Sequence, residues 1–342
     1  VKLSVQELEL HLRHTFRISR WEYDVTRTVL VTLEHEGLRG YGEVAPPRFF
    51  GETNESTLAA LQSLDGQLDG DPTDVEAVLA ALPPEVRALR GAVSAIDIAL
   101  HDLAGQMAGQ PLWELFGADP SAAPVTSFTI AIASVPEMQE RVREAERYPI
   151  LKVKVGTDRD LEILDGIRAV TDKPLRVDAN AHWSVNEAIV NIRAMEAYGI
   201  QFIEQPIPTG NIDGLRRIRD AVGVPLIVDE DVATGADIEP LADAVDGINI
   251  KLAKCGGLAE ARRMIGLARG RGLAVMLGCH IESSVAITAA AHLSPLVDLC
   301  DLDGNVLITD DPFTGATLDG GARIVLPTEP GLGVVRSEDI AT

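Results

Sequence analysis

The sequence predicts an α/β fold, a TIM-type barrel of parallel strands joined to a smaller α+β unit. Three observations predict it. From about Val125 onward, apolar runs of strand length alternate with helical patterns in units of roughly 25 residues. Eight such strand candidates follow one another, with no G-x-G-x-x-G after the first, which favours a closed barrel over an open dinucleotide-binding sheet. Most units carry an acid or a lysine at the end of the strand, and in a barrel those ends share one mouth.

Taken in order, the opening third reads as strands at Leu3–Val5, Thr28–Leu33 and Gly40–Glu43. Between the first two, Thr15–Asp24 reads as a polar and aromatic loop that includes Trp21. A second loop, Ala45–Thr53, holds the adjacent Phe49 and Phe50, which either line a ligand site or pack beneath the loop. Helical patterns follow at Ser56–Leu64, Asp74–Leu82 and Ala92–Met107, the last rich in alanine and expected to be buried. The barrel strands are expected at Val125–Ala133, Ile150–Val155, Leu175–Asp178, Phe202–Glu204, Pro225–Asp229, Gly247–Leu252, Ala274–Gly278 and Val297–Asp303. Helices are expected at Asp158–Val170, Ser184–Tyr198, Ile212–Ala221, Ala236–Ala244 and Leu258–Arg271. The closing stretch from Gly321 has short strands and Pro-Gly turns, and is expected to return to the opening unit.

With 342 residues, 46% of them hydrophobic and 24% charged, the chain suits one large globular domain and a smaller one. A net charge of -22 argues against nucleic acid and anionic membrane as partners, because both would repel it. No apolar run reaches the length of a membrane span, and no signal peptide is recognisable. Cys255, Cys279 and Cys300 have no zinc-ligand spacing and cannot all pair, so a reducing cytoplasm is the expected compartment.

The chain has six lysines, and four fall in two tight pairs, Lys152 with Lys154 and Lys251 with Lys254. In a strand, Lys152 and Lys154 share a face, and crowding of two ammonium groups favours a free amine near neutral pH. Asp178, Glu204 and Asp229 end three consecutive strands, where their charges would meet. Such a cluster calls for a hard divalent cation bound by oxygen, and magnesium fits best. The alternative is that each acid caps the following helix, but three in successive units flanked by lysines favour the metal. Lys154 and Lys251 come from the second and sixth strands, across the mouth from each other. Asp301 and Asp303 alternate with Leu302 and can both face the mouth. Lys254 is expected to point elsewhere in a local ion pair. The scattered histidines His11, His14, His35, His101, His182 and His292 read as structural or exposed. Gly256-Gly257 reads as a turn.

These segments resemble the enolase superfamily, muconate-lactonizing subgroup. The resemblance rests on Lys152-Val-Lys154, Asp178-Ala-Asn180, Glu204-Gln-Pro206, Asp229-Glu230 and Asn249-Ile-Lys251-Leu-Ala-Lys-Cys-Gly-Gly257, with Gly42-Glu43 and Pro330-Gly-Leu-Gly333 towards the ends. It implies a modified TIM barrel, (β/α)7β, over residues 121–318. An α+β capping domain over residues 1–120 is completed by the segment 319–342. It also implies one Mg2+ per active site on Asp178, Glu204 and Asp229, and proton transfer by Lys154 and Lys251 with Lys152 beside them. Asp301-Leu-Asp303 is similar to the motif by which dipeptide epimerases of this subgroup hold the substrate's α-ammonium. The expected activity is therefore a 1,1-proton transfer at the α-carbon of a dipeptide's C-terminal residue, through an enediolate. Trp21, Phe49 and His280 are further substrate-binding candidates, and a homo-oligomer is expected. An N-acylamino-acid racemase or o-succinylbenzoate synthase is the alternative, and a non-catalytic metal-bound scaffold a remote one. Two positions depart from the family pattern: Asp231 adds a charge after Asp229-Glu230, and His280 follows the seventh strand.

Overall fold

The computed structural model describes residues 1–68 and 70–339. Three long strands open it: β1 (Lys2–Arg17), β2 (Glu22–His35) and β3 (Leu38–Val44), antiparallel in the order β1-β2-β3. Alternation in β2 explains the sheet, since Val29, Val31 and Leu33 are fully buried on one face. The loop expected over Thr15–Asp24 is corrected. Phe16 pairs with Tyr23 and Arg17 with Glu22, so only the residues between them turn. The hairpin runs past the rest of the sheet and is wet on both faces there, which erases the apolar alternation that marks a strand.

Helix Arg90–Ala108 packs against β3. The approach is so close that a side chain at Gly42 would lie 1.9 Å from the Ala95 carbonyl oxygen. Helices Asn54–Gln62 and Val75–Ala81 complete the core of this unit.

Eight parallel strands follow in sequence order: β4 (Phe128–Ile130), β5 (Leu151–Lys154), β6 (Leu175–Asp178), β7 (Ile200–Glu204), β8 (Leu226–Val228), β9 (Gly247–Ile250), β10 (Ala274–Gly278) and β11 (Leu299–Asp301). A parallel bridge between Thr126 and Cys300 brings the first strand back to the last and closes the ring. Helices follow the first seven strands, including two that the sequence pattern does not mark, Val135–Glu144 and Ser284–Ala291. The second is apolar and buried all round, so it carries no amphipathic stripe. The helix expected over Ala236–Ala244 shrinks to a 3-10 turn and Ile238–Leu241, where Pro240 offers no N–H.

The strands divide their residues between two environments. Outward-facing Val153, Val177, Ile203, Val228 and Ile248 join the helices in the main core. Inside the barrel, Phe202, Ile227 and Met276 form a separate apolar floor. One inward step further along the strands, the residues become lysines and acids.

The opening unit is tied to the barrel by buried carboxylates. Asp97, on helix Arg90–Ala108, accepts from the backbone N–H of Leu258 and caps helix Leu258–Gly270, whose N-cap residue Gly257 has no side chain. Gly257 sits at φ 111°, and a Cβ there would come within 2.3 Å of Asp97 Oδ2. Asp102 accepts from Tyr41 N and Leu332 N, each at 2.8 Å. The closing segment also exchanges backbone bonds with the residues after that helix, Leu112 N to Gly331 O at 3.0 Å and Gly331 N to Gln110 O at 2.9 Å. Residues 340–342, the end of the expected closing segment, lie outside the described residues. Among the described residues, no helix is long and apolar enough to cross a membrane.

Candidate active site

The sequence-predicted lysines and acids meet at the C-terminal ends of the strands. In a ring of eight, β5 and β9 stand four places apart, on opposite sides. Lys152 and Lys154 rise from β5, and Lys251 follows β9. Lys152 Nζ lies 2.7 Å from Asp301 Oδ2, 2.7 Å from Glu204 Oε2 and 3.3 Å from Asp178 Oδ2. Lys154 Nζ reaches Asp178 Oδ2 at 2.6 Å, and Lys251 Nζ reaches Asp229 Oδ2 at 2.9 Å.

Asp178 and Glu204 are fully buried behind the lysines, while Asp229 reaches the cavity above them. That cavity is lined from below by Lys154, Lys251, Asp301 and Asp303, and from above by Trp21 and Phe49. His280 stands at its wall. The turn of the β1–β2 hairpin is held over the mouth by Ile132 N to Arg17 O at 3.0 Å and by Arg20 Nε to Asn180 O at 2.9 Å. Arg20 also lies over the Phe49 ring, 4.8 Å from its centre.

Burial opposes the charge on Lys152, but Asp301, Glu204 and Asp178 overrule it and hold the ammonium well above the usual lysine range. Crowding of two lysines alone predicts a free amine, and Lys152 departs from that because three acids surround it. Burial opposes the charge on Lys251 as well, and Asp229 holds it up. Burial pushes Glu204 up, and the charges of Asp178 and Asp229 push it further. For Asp301, burial works against ionisation but Lys152 prevails and brings the carboxyl to about 2. Burial and Asp301 together push Asp303 up to about 7. The His280 imidazole is driven down to about 3, by burial and then by Lys251, so it is neutral.

The donor set suits a hard divalent cation. Asp178, Glu204 and Asp229 offer only oxygen, and Glu204 is raised by burial and then by the charges of Asp178 and Asp229, which a cation beside it would offset. Asn180 Oδ1 and Glu230 Oε2 are buried acceptors without a partner beside them, and Glu204 Oε2 meets Lys152 out of hydrogen-bond alignment. Among the described residues, no three His, Cys, Asp or Glu side chains stand ready-made around one point, since lysines take up the carboxylates.

Several residues escape the sequence reading. Lys254 does not point elsewhere. The short helix Leu252–Cys255 turns it back into the cluster, where it binds Asp229 Oδ1 and also, at 3.1 Å each, the carbonyls of Val232 and Asn249. The expected local ion pair is there, but its partner is a candidate metal ligand. Asn249 Nδ2 donates to Glu204 Oε1 at 2.8 Å. Arg176, one inward step below Asp178, donates to Cys300 O at 2.6 Å and Ser127 Oγ at 3.2 Å and braces the barrel seam. Asp231 turns away from the cluster, binding Gln205 Nε2 and Gly210 N, each at 2.7 Å.

Comparison with known proteins agrees with this arrangement. Residues 2–117 match the mandelate racemase / muconate lactonizing enzyme N-terminal domain family, and residues 135–340 the enolase C-terminal domain-like family. An L-Ala-D/L-Glu epimerase of Bacteroides thetaiotaomicron is 39% identical over 341 residues, covering 98% of this chain and 88% of its own. A dipeptide epimerase from Cytophaga hutchinsonii, solved with Mg and the dipeptide D-Ala-L-Val, superposes with a TM-score of 0.94 at 30% identity, over 99% of this chain and 96% of that one. An N-succinyl Arg/Lys racemase from Bacillus cereus superposes with a TM-score of 0.90 at 28% identity, over 99% of this chain and 96% of that one. By sequence and by architecture, the chain belongs to the mandelate racemase and muconate lactonizing enzyme family of the enolase superfamily.

Proposed function

We propose that the chain is a magnesium-dependent dipeptide epimerase, an isomerase that inverts the α-carbon of a dipeptide's C-terminal residue. The observation that carries this reading is the pair Asp301 and Asp303 in one cavity with Lys154 and Lys251. Asp301 is already matched by Lys152, whereas Asp303 accepts the Thr129 N–H, at 2.6 Å, has no lysine or arginine in a salt bridge with it among the described residues, and is raised by burial and by Asp301. A site built this way gains from a cation that arrives with its substrate, and a dipeptide's α-ammonium is such a cation.

Asp178, Glu204 and Asp229 would hold a divalent cation, which when bound would supply Lewis-acid stabilisation for the substrate carboxylate. Lys154 and Lys251 face the α-carbon from opposite sides. One takes the α-proton and the other returns a proton to the opposite face, which inverts the centre. Lys152 keeps a positive charge where negative charge grows. The alternative, an N-acylamino-acid racemase, has a solved structural neighbour, but N-acylated substrates bring no α-ammonium for Asp303. A scaffold needs neither lysine. The three cysteines are all free thiols, which supports the reading of a reducing compartment.

The test is incubation with L-Ala-L-Glu, other L-Ala dipeptides and N-succinylamino acids in deuterated water, followed by mass spectrometry and chiral analysis. Dipeptides are expected to gain one α-deuteron and to epimerise, and chelation with EDTA should stop both. Turnover of N-succinylamino acids without dipeptides would hand the site to the alternative.

A further inference from the structure

Two acidic residues outside the catalytic cluster join the opening unit to the barrel, and neither takes part in the proton transfer. Glu43 ends the inner edge of β3 and accepts from Ser283 N at 3.0 Å, Ala286 N at 3.3 Å, Thr28 Oγ1 at 2.7 Å and the Ser283 hydroxyl. Glu282, in the turn after β10, accepts from Ala45 N at 2.8 Å and from its own strand end, His280 N, at 3.4 Å. The arrangement is reciprocal, because each domain sends one carboxylate to a backbone N–H of the other. Both side chains are buried, and neither has a lysine or arginine partner among the described residues.

Ala45 is the last backbone donor before Pro46 and Pro47, which have no N–H. The loop that carries Phe49 over the mouth therefore has one backbone donor at its leading end, and Glu282 holds it. The same carboxyl holds the His280 backbone. His280 Nδ1 is buried in the wall of the cavity without a partner.

We propose that Glu282 is a positioning residue: with Glu43 it forms a reciprocal clip that fixes the Phe49 loop and the His280 ring relative to one another and so shapes the pocket for the substrate's side chains. The clip acts on substrate binding and leaves the lysines alone. Burial and the neighbouring Glu43 push Glu282 up to about 8, so its carboxyl is neutral at pH 7. A neutral amide can take its place, with the carbonyl oxygen accepting the Ala45 N–H. The kinetic half of the proposal rests on the dipeptide reading, and the structural half does not.

The test compares wild type, Glu282→Ala and Glu282→Gln in the intact protein. Amide hydrogen exchange read by mass spectrometry is expected to quicken at least tenfold in the peptide spanning Ala45 in Glu282→Ala. Peptides from β5 to β7 should keep the wild-type rate. KM for the best dipeptide should rise roughly tenfold with kcat within about twofold, and Glu282→Gln, which keeps an acceptor for the Ala45 N–H but not for the His280 N–H, should restore the exchange rate at Ala45 and most of KM. If the alanine variant does not fold, Glu282→Asp, one methylene shorter, should give the same quickened exchange. Unchanged exchange at Ala45, a glutamine variant as impaired as alanine, or a fall in kcat at constant KM would each overturn the clip. If the wild type turns over no dipeptide, the functional reading falls, and the exchange measurement still decides the clip.

Discussion

Lys154 meets Asp178 at 2.6 Å and Lys251 meets Asp229 at 2.9 Å, so each proposed base shares its nearest acid with the proposed metal cage. Lys154→Ala and Lys251→Ala are each expected to abolish epimerisation. Each should still exchange the α-proton of the one epimer that faces the surviving lysine, and deuterium incorporation into separated L,L and L,D dipeptides checks this. Equal loss of exchange from both epimers in both variants would argue against opposed bases. Asp303 gives the cleaner test of ammonium recognition, because replacing Asp301 also removes a partner from Lys152. Losing one charge-assisted hydrogen bond costs about 1.5–3 kcal/mol. Asp303→Asn should thus lower kcat/KM for dipeptides by roughly 10- to 150-fold, with little change for N-acetylated dipeptides. The acids were legible in the sequence because each ends an apolar run, a position that alternation fixes. The direction of Lys254 is not legible in the sequence, because it depends on one turn of helix, Leu252–Cys255, that strand alternation cannot foresee.

Helix Leu258–Gly270 starts at a glycine and borrows its cap from Asp97, on another domain. Asp97→Ala is expected to destabilise the protein by about 1–2 kcal/mol, since buried N–H groups lose their acceptor. Thermal unfolding followed by circular dichroism checks it, and an unchanged midpoint would show that the cap contributes nothing. Nothing near Gly257 announces this bond, because the acceptor lies 161 residues earlier. The same holds for Glu43 and Glu282, whose local sequences name no partner. The barrel strands were legible because their βα units repeat, whereas the far end of the β1–β2 hairpin was not. Phe16 and Tyr23 stack there with ring centres 5.8 Å apart on a ribbon that is mostly exposed, and a polar ribbon looks like a loop.

The whole chain carries a net charge of -22, and part of its acid is buried. Burial and the neighbouring Glu43 push the Glu282 carboxyl up to about 8 in the folded chain, from an ordinary value near 4.5. Between those two values the folded chain binds more protons than the unfolded one, so stability falls as pH rises. Glu230 and Asp303, at about 8 and about 7, act in the same direction. His280 and His292, lowered to about 3 and about 4, act in the opposite direction, but only below their unfolded value of 6.5. The unfolding midpoint of the EDTA-treated protein is therefore expected to drop between pH 6.5 and 8.5, with Glu282 contributing up to about 2 kcal/mol. A flatter profile in Glu282→Gln supports the assignment, and a midpoint that rises over that interval contradicts it. Added salt should raise stability at the alkaline end, as it screens the self-repulsion of so acidic a chain.

The carboxylates that tie the two units together also set a timetable. Glu43, Asp97 and Asp102 all leave the ribosome within the first third of the chain. Their backbone donors, at Ser283, Leu258 and Leu332, are made 240, 161 and 230 residues later. A nascent chain that stops before Leu258 owns these acids and none of those three donors, so the bonds that tie them to the barrel and the closing segment are unmade. The antiparallel sheet is thus synthesised before the barrel and is among the last parts to be sealed. A truncation of the final dozen described residues would be felt first at Asp102, on the far side of the molecule's chain order, as the Leu332 N–H it accepts from is lost.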